Sequence, residues 1–507
     1  METLNSLFVR TATNKGSDTL FSDETGKCSG QEALRSVQAI AGGLSDLGIS
    51  RGDRVAFLCD NSVPYVLSFF ACQQMGIIPC ALHVRSTVND LARTLIWLNV
   101  SAVVVDSKYR KLAYEAMQSA RLSKPLIDLG GDDKTLSYAG LIESKPAEAE
   151  AKQNFIDEPA LIILSSGTTG APKGVIHSQR TLYASALAGE KVFGGIESTD
   201  STIIAMAPSF AAWNHVLFPF LAHQAKIVFI RAFNADLYIN TINREKITHA
   251  ALVPTAWRRV LGALSGDKGF SSLRCVFFSG EPATAEFISK MKTALPAINI
   301  RTAYLSSEGG DASACVADDH LLGSGNFSTG KAIEGSEIRI VDPDGDLGEE
   351  LESGEAGEIV LRSRSLALGY WENAALTAER FVNGWWRSSD LGRMDKEGNL
   401  TISGRNDNLI ISGGLKVHAE EVEAALMKHP AIDVAAVVGQ TDEEWGQRIE
   451  AYVISNAETK QEEILNFCRN EALLASFKLP KYIHFCDKLP TGATGKLYRR
   501  GLLENQN

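Results

Sequence analysis

The sequence predicts an α/β protein, a large layered domain followed by a smaller α+β one, on three observations. Short apolar runs recur between longer segments of helical period, at 55–59, 102–105, 161–164, 203–206, 227–230, 250–253 and 276–278. Runs of that length separated by helices read as strands buried on both faces. From about Ile333 the pattern changes to turn-rich stretches, such as Asp342-Pro343-Asp344-Gly345, with short alternating strands between them, which indicates a small β region. After Gly404-Arg405 comes a compact unit: a helix near 420–428, strands near 434–438 and 450–454, and a helix near 462–470. The domain boundary is expected close to Asp407, dividing the chain into 1–405 and 406–507.

The 507 residues, 45% hydrophobic and 22% charged, suffice for one large core and at least one smaller core. A formal charge of -11 opposes non-specific attraction to nucleic acid or anionic membrane, while leaving room for a local basic groove. The eight cysteines are scattered without a CxxC pair and read as reduced core residues. The first sixteen residues lack the basic end and apolar stretch of a secretory signal. The most apolar long segment, 66–84, is interrupted by Gln73, Gln74, Gly76 and Pro79, so it does not suit a membrane span, and a cytoplasmic protein is expected.

Several apolar runs end in Ser, Gly or Pro, which places the following loops at the sheet edge where ligands usually bind. The strongest local signal is Ser165-Ser166-Gly167-Thr168-Thr169-Gly170-Ala171-Pro172-Lys173-Gly174. Hydroxyls and glycine amides on a bending loop can cradle phosphate, and Lys173 adds positive charge. The loop differs from a Walker P-loop, because Pro172 precedes the lysine and Gly174 follows it. Taken alone, it reads equally as a flexible Ser/Thr/Gly linker. Further strings follow in order: Ser279-Gly280-Glu281-Pro282, Tyr304-Leu305-Ser306-Ser307-Glu308, Trp386-Arg387-Ser388-Ser389-Asp390, Gly404-Arg405-Asn406-Asp407 and Pro490-Thr491-Gly492-Ala493-Thr494-Gly495-Lys496.

Together these strings resemble, from about Asp18 to Leu503, the adenylate-forming (AMP-binding) superfamily, in its acyl- and aryl-CoA synthetase branch. The resemblance implies a large N-terminal domain of layered αβαβα sheets plus the small β region, then a small mobile C-terminal domain. It also implies that residues Ser165, Ser166, Gly167, Thr168, Thr169, Gly170 and Lys173 hold the ATP phosphates. By the same resemblance, Gly280, Glu281 and Pro282 lie against adenine, Tyr304 stacks on it, Ser307 approaches the α-phosphate and Glu308 holds magnesium. Asp390 anchors the ribose, Arg405 lies near ribose and phosphate, Asp407 is the hinge, and Lys496 reaches the carboxylate and the α-phosphate. The chain departs from the family pattern at Leu305, for the usual Gly, at Ser307, for Thr, and at Gly492, for Thr.

CoA contacts are implied at Arg85, Gly414, Trp445, Phe477, Lys478 and Lys481; cations suit its phosphates and an aromatic suits its adenine. The acid pocket is expected at Ala211, Trp213, Ala251, Ala303, Leu305, Gly309 and Gly310, mostly small and uncharged, with packing as the equal alternative. Ala211 cannot anchor an amino group, so the lining favours a bulky, mainly apolar acid, aromatic or alicyclic, over an amino acid, while Leu305 equally suits the shortening of a fatty-acid tunnel.

The expected activity is an acid:CoA ligase using ATP, Mg²⁺ and CoA through an acyl-adenylate. An enzyme loading a carrier-protein thiol is the alternative, without a fused carrier domain because Asn507 follows soon after Lys496. A non-catalytic nucleotide sensor is the alternative from another class; the combination of Lys173, Glu308, Asp390, Arg405 and Lys496 argues against it. Oligomeric state and the particular acid are not read from the sequence.

Overall fold

The computed structural model describes residues 2–131, 136–147, 155–166, 172–264, 270–281, 283, 285–316, 328–491 and 497–504. Two compact units emerge, Met1–Ile338 with Leu361–Trp386, and Arg339–Val360 with Arg387–Asn507. The segments 339–360 and 387–405, placed by sequence in the N-terminal domain, therefore group with the second unit.

In the first unit, a parallel four-stranded sheet has the order Ile78–Ala81, Arg54–Leu58, Ala102–Val105, Leu126–Asp128. A second sheet runs Thr19–Asp23, Lys226–Phe229, Ser201–Ile204, His249–Leu252, Cys275–Phe278, Asn299–Ser306 in parallel. Strand Gly310–Val316 then returns antiparallel. Several of these strands are buried at every position, which is why they read as unbroken apolar runs rather than as alternation.

The broken apolar stretch 66–84 becomes helix Val63–Met75, capped by Ser62, stopped by Gly76 in the left-handed conformation, and followed by strand Ile78–Ala81. No helix among the described residues is long and apolar enough to cross a membrane. Six described cysteines are buried, Cys486 is half-buried, and all seven are unpaired.

The apolar run at 161–164 belongs to Pro159–Ser166, which is buried at 160–163 as expected but lies in an antiparallel sheet. It pairs antiparallel with Pro172–Ser178, and Gly369–Tyr370 adds to the far side of that strand. The glycine-rich loop thus joins two strands of one hairpin, so both of its ends are fixed by a sheet ladder.

In the second unit, residues 390–394 of strand Trp385–Met394 pair antiparallel with Leu400–Arg405. A separate sheet contains Leu415–His418, Leu409–Ser412, Gly446–Ser455 and Ile432–Asp442, with Tyr482–Phe485 parallel to Gly446–Ser455. Helices Ala419–Leu426 and Gln461–Asn470 contribute to its core through Val422, Leu426, Ile464 and Cys468. These are the helix, two strands and helix expected from the sequence.

Candidate active site

The first unit holds the ends of the glycine-rich loop and the turn after strand Asn299–Ser306. Gly167, Thr168, Thr169, Gly170 and Pro282 lie outside the described residues, and Ser165 and Lys173 face each other in the hairpin register. The Lys173 ammonium lies 5.8 Å from the centre of the Tyr370 ring. The Tyr370 hydroxyl donates to Glu308 Oε1 at 3.0 Å and accepts from Trp386 Nε1 at 3.3 Å. Burial, and then the negative charge of Glu308, push the Tyr370 phenol well above its usual range, so it remains a proton donor. The structure thereby gathers the predicted phosphate lysine and the predicted magnesium carboxylate around a tyrosine that sequence reasoning passed over.

Behind that turn lies a buried polar layer, also unforeseen. His177 Nε2 is 2.8 Å from the Ser307 carbonyl, and Nδ1 is 3.1 Å from the Thr181 hydroxyl. A carbonyl only accepts, so Nε2 carries the proton. Nearby, the buried His215 has its Nδ1 3.0 Å from Asp311 Oδ1. His177 therefore holds the carbonyl of Ser307, the residue immediately before Glu308.

The two histidines titrate in opposite senses. Burial lowers His177 to about 4, whereas burial of His215 is outweighed by Asp311, leaving it raised. The unfolded chain protonates His177 below about pH 6.5, so its contribution to stability is complete above that value and is lost as pH falls towards 4, by up to about 3 kcal/mol. His215 contributes below about pH 6.5, and its contribution is lost as pH rises through its folded value. His177→Gln, whose amide can donate to the same carbonyl, is expected to show a shallower fall in Tm between pH 7 and pH 5 than the wild type. Parallel falls in the two proteins would assign the acid sensitivity to other groups.

Around the predicted adenine and acid positions, Gly280 has φ +83°, and Glu281 accepts from the Thr255 amide at 3.0 Å and from its hydroxyl at 2.9 Å. Glu281 thus braces the first turn of helix Pro254–Ala263. Tyr304, Ala251 and Ala303 are buried, while Ala211 and Leu305 are half-buried against the main core. Trp213 is fully buried, edge-on to Tyr65 and Phe69 and stacked near Phe229. A side chain at Gly309 would meet Leu361 at 2.6 Å, and Gly310 has φ +70°, so these two glycines are also required by packing and turn geometry. Arg85 is exposed, and its amide lies 3.3 Å from His83 Nδ1.

The second unit brings Asp390 and Arg405 opposite each other across the strand pair, with Arg405 Nε 3.7 Å from Asp390 Oδ1 and Nη2 3.4 Å from Asp407 Oδ2. Asp390 is thus joined to the predicted hinge through one guanidinium. Ser389 sits at φ +61°, its amide donating to Glu358 Oε1 at 2.9 Å. That left-handed backbone explains physically why glycine suits this position. Ser389→Gly is expected to raise stability by about 0.5–1 kcal/mol, strain relief exceeding glycine's entropy cost. An unchanged or lower denaturation midpoint would show that the strain is negligible.

Lys496 and Gly492 lie outside the described residues, but the flanking chain is fixed by the Thr491–Leu497 bridge. Arg499 Nη2 also reaches Glu423 Oε1 at 2.8 Å and Oε2 at 2.9 Å. Of the predicted CoA residues, Trp445 is half-exposed over Gly413, beside Gly414 at φ +80°. Phe477 is exposed, Lys478 pairs with Glu421 at 2.6 Å, and Lys481 approaches Asp442 at 3.6 Å. Both lysines therefore carry carboxylate partners in this structure.

The layered first unit thus gathers Lys173, Tyr370 and Glu308, the second pairs Asp390 with Arg405, and comparison with known proteins gives the class, an adenylate-forming ligase. The chain belongs to the AMP-binding enzyme family: the AMP-binding enzyme domain matches residues 8–371, and the AMP-binding enzyme C-terminal domain matches residues 421–496. It is 28% identical over 504 residues to a 2-succinylbenzoate–CoA ligase of Bacillus cereus (strain Q1), covering 99% of this chain and 98% of that one. The o-succinylbenzoate CoA synthetase of Bacillus subtilis, in complex with its acyl-adenylate intermediate, superposes with a TM-score of 0.87 at 25% identity, over 98% and 97% of the chains. The amide bond synthetase McbA of Marinactinospora thermotolerans shares the fold with a TM-score of 0.87 at 23% identity, over 100% of each chain.

Proposed function

We propose that the protein activates a mainly apolar, aromatic or alicyclic carboxylic acid with ATP and transfers the acyl group to CoA, releasing AMP and pyrophosphate. The observation that carries this reading is the cluster of Lys173, Tyr370 and Glu308 within a chain that matches both domains of the family. In the first step a carboxylate oxygen attacks the α-phosphorus, and the bond to the β-phosphate oxygen breaks. In the second step the CoA thiol gives up its proton to solvent, its sulfur attacks the acyl carbon, the bond to the adenylate oxygen breaks, and AMP leaves.

The attacking carboxyl is ionised near neutral pH, because an unperturbed acid titrates at about 4, so the first step needs no general base. Catalysis then rests on alignment and charge neutralisation. Lys173 and the hydroxyls of Ser165 and Ser166 hold the phosphates, Asp390 accepts from the ribose hydroxyls, and Arg405 steadies the nucleotide. Lys496 meets the carboxylate and the α-phosphate.

The donor set suits magnesium: Glu308 supplies one hard oxygen, held in place by Tyr370, and substrate phosphates and water complete such a shell. Among the described residues no three His, Cys, Asp or Glu side chains form an all-protein metal cage. Bound there, magnesium would neutralise phosphate charge. Residues 406–507 turn about Asp407 between the two steps in this scheme, and Arg85, Gly414, Trp445, Phe477, Lys478 and Lys481 line the thiol's approach, the two lysines exchanging their carboxylates for CoA phosphates.

The relatives' substrate makes aromatic acids the first to test. Pyrophosphate release is measured with a panel containing 2-succinylbenzoate, simpler aromatic and alicyclic acids, fatty acids and amino acids, followed by thioester formation on free CoA or a phosphopantetheinylated carrier protein. The reading expects an aromatic or alicyclic acid and free CoA to give the highest rates. Preference for an amino acid, or for the carrier thiol, would contradict it.

A further inference from the structure

We propose that Tyr370 is a positioning residue of the adenylation site, its hydroxyl holding the Glu308 carboxylate in the orientation that receives the magnesium–ATP complex. This inference rests on the assignment of Glu308 as the metal carboxylate. Its basis is a hydrogen-bond chain whose direction is fixed. An indole nitrogen can only donate, so the Tyr370 oxygen accepts from Trp386 and directs its own proton to Glu308 Oε1.

The tyrosine itself has little freedom. Its amide donates to Thr377 Oγ1 at 2.9 Å, and its ring lies edge-on to Phe381 at 5.5 Å. In the sheet it pairs with Val175 on the strand leaving the glycine-rich loop. A second tie, from the Ala367 amide to the Glu308 carbonyl at 2.8 Å, holds the same two segments together. One short segment, 367–370, thus fixes the backbone of Glu308, orients its carboxylate and presents an aromatic face to Lys173. Phenylalanine would fill the same space, so packing alone accounts for the ring and leaves the hydroxyl to the carboxylate.

Groups that orient a metal ligand typically change metal affinity 10- to 100-fold when removed. The test uses Mn²⁺ as the probe, titrated against the full-length protein with α,β-methylene-ATP and read from the free-ion EPR signal. Tyr370→Phe is expected to weaken Mn²⁺ binding by about 10-fold or more, with metal-free nucleotide affinity unchanged. Trp386→Phe is expected to weaken it less, and it decides the matter should Tyr370→Phe fail to fold. Wild-type Mn²⁺ affinity in the folded Tyr370→Phe protein, or in Trp386→Phe when that variant alone folds, overturns the inference, provided Glu308→Gln is weakened. Unchanged affinity in Glu308→Gln would instead remove the assignment on which the inference rests.

Discussion

Lys496→Ala is expected to lower acyl-adenylate formation by roughly 1,000-fold, the scale for losing a pre-aligned donor at a site of developing charge. Thioester formation from supplied acyl-adenylate should persist. The separation follows from the proposed chemistry: the ammonium is needed where a carboxylate approaches an anionic phosphorus centre, and not where a thiol attacks an activated acyl carbon. The residue itself lies outside the described segments, yet the chain on either side is anchored by the Thr491–Leu497 bridge and the Arg499–Glu423 ion pair. Those anchors let a substitution at 496 act on chemistry without loosening the core. Rapid-quench measurement of both half-reactions checks this, and equal losses in both would contradict the role.

Asp407→Pro is expected to preserve the first turnover of pyrophosphate while reducing CoA-dependent turnover at least about 10-fold, because conformational steps can limit such enzymes. Asp407 lies in the short turn Asn406–Asn408, and proline there fixes φ and removes an amide donor. Proline also removes the carboxylate facing Arg405, so Asp407→Ala provides the control. Unimpaired thioester turnover in the proline variant would exclude Asp407 as the hinge. Equal impairment in the alanine variant would point to the lost ion pair instead.

The fold was legible because burial on both faces leaves an unambiguous record: the runs at 102–105 and 276–278 are strands whose residues are all buried. The hairpin that carries the glycine-rich loop was not legible, since antiparallel pairing depends on the partner strand Pro172–Ser178 rather than on local composition. Tyr370 escaped notice because Gly369-Tyr370-Trp371 looks like an ordinary turn. Its relation to Glu308 is purely tertiary, 62 positions apart in sequence.

His177 and His215 were hidden for the same reason: each lies in an apolar stretch, and only the fold brings His177 to the Ser307 carbonyl and His215 to Asp311. Trp213 shows how a helix separates sequence neighbours. It follows Ala211 by two residues, a rotation of roughly 200° around a helix, so it turns into the core while Ala211 stays half-buried.

The central claim is that the acid is joined to AMP before the thiol takes part. Isotope exchange between labelled pyrophosphate and ATP, measured with the preferred acid and magnesium but without CoA, tests it most directly. The account predicts acid-dependent exchange under those conditions; a strict requirement for CoA, or ADP and phosphate as products, would contradict it.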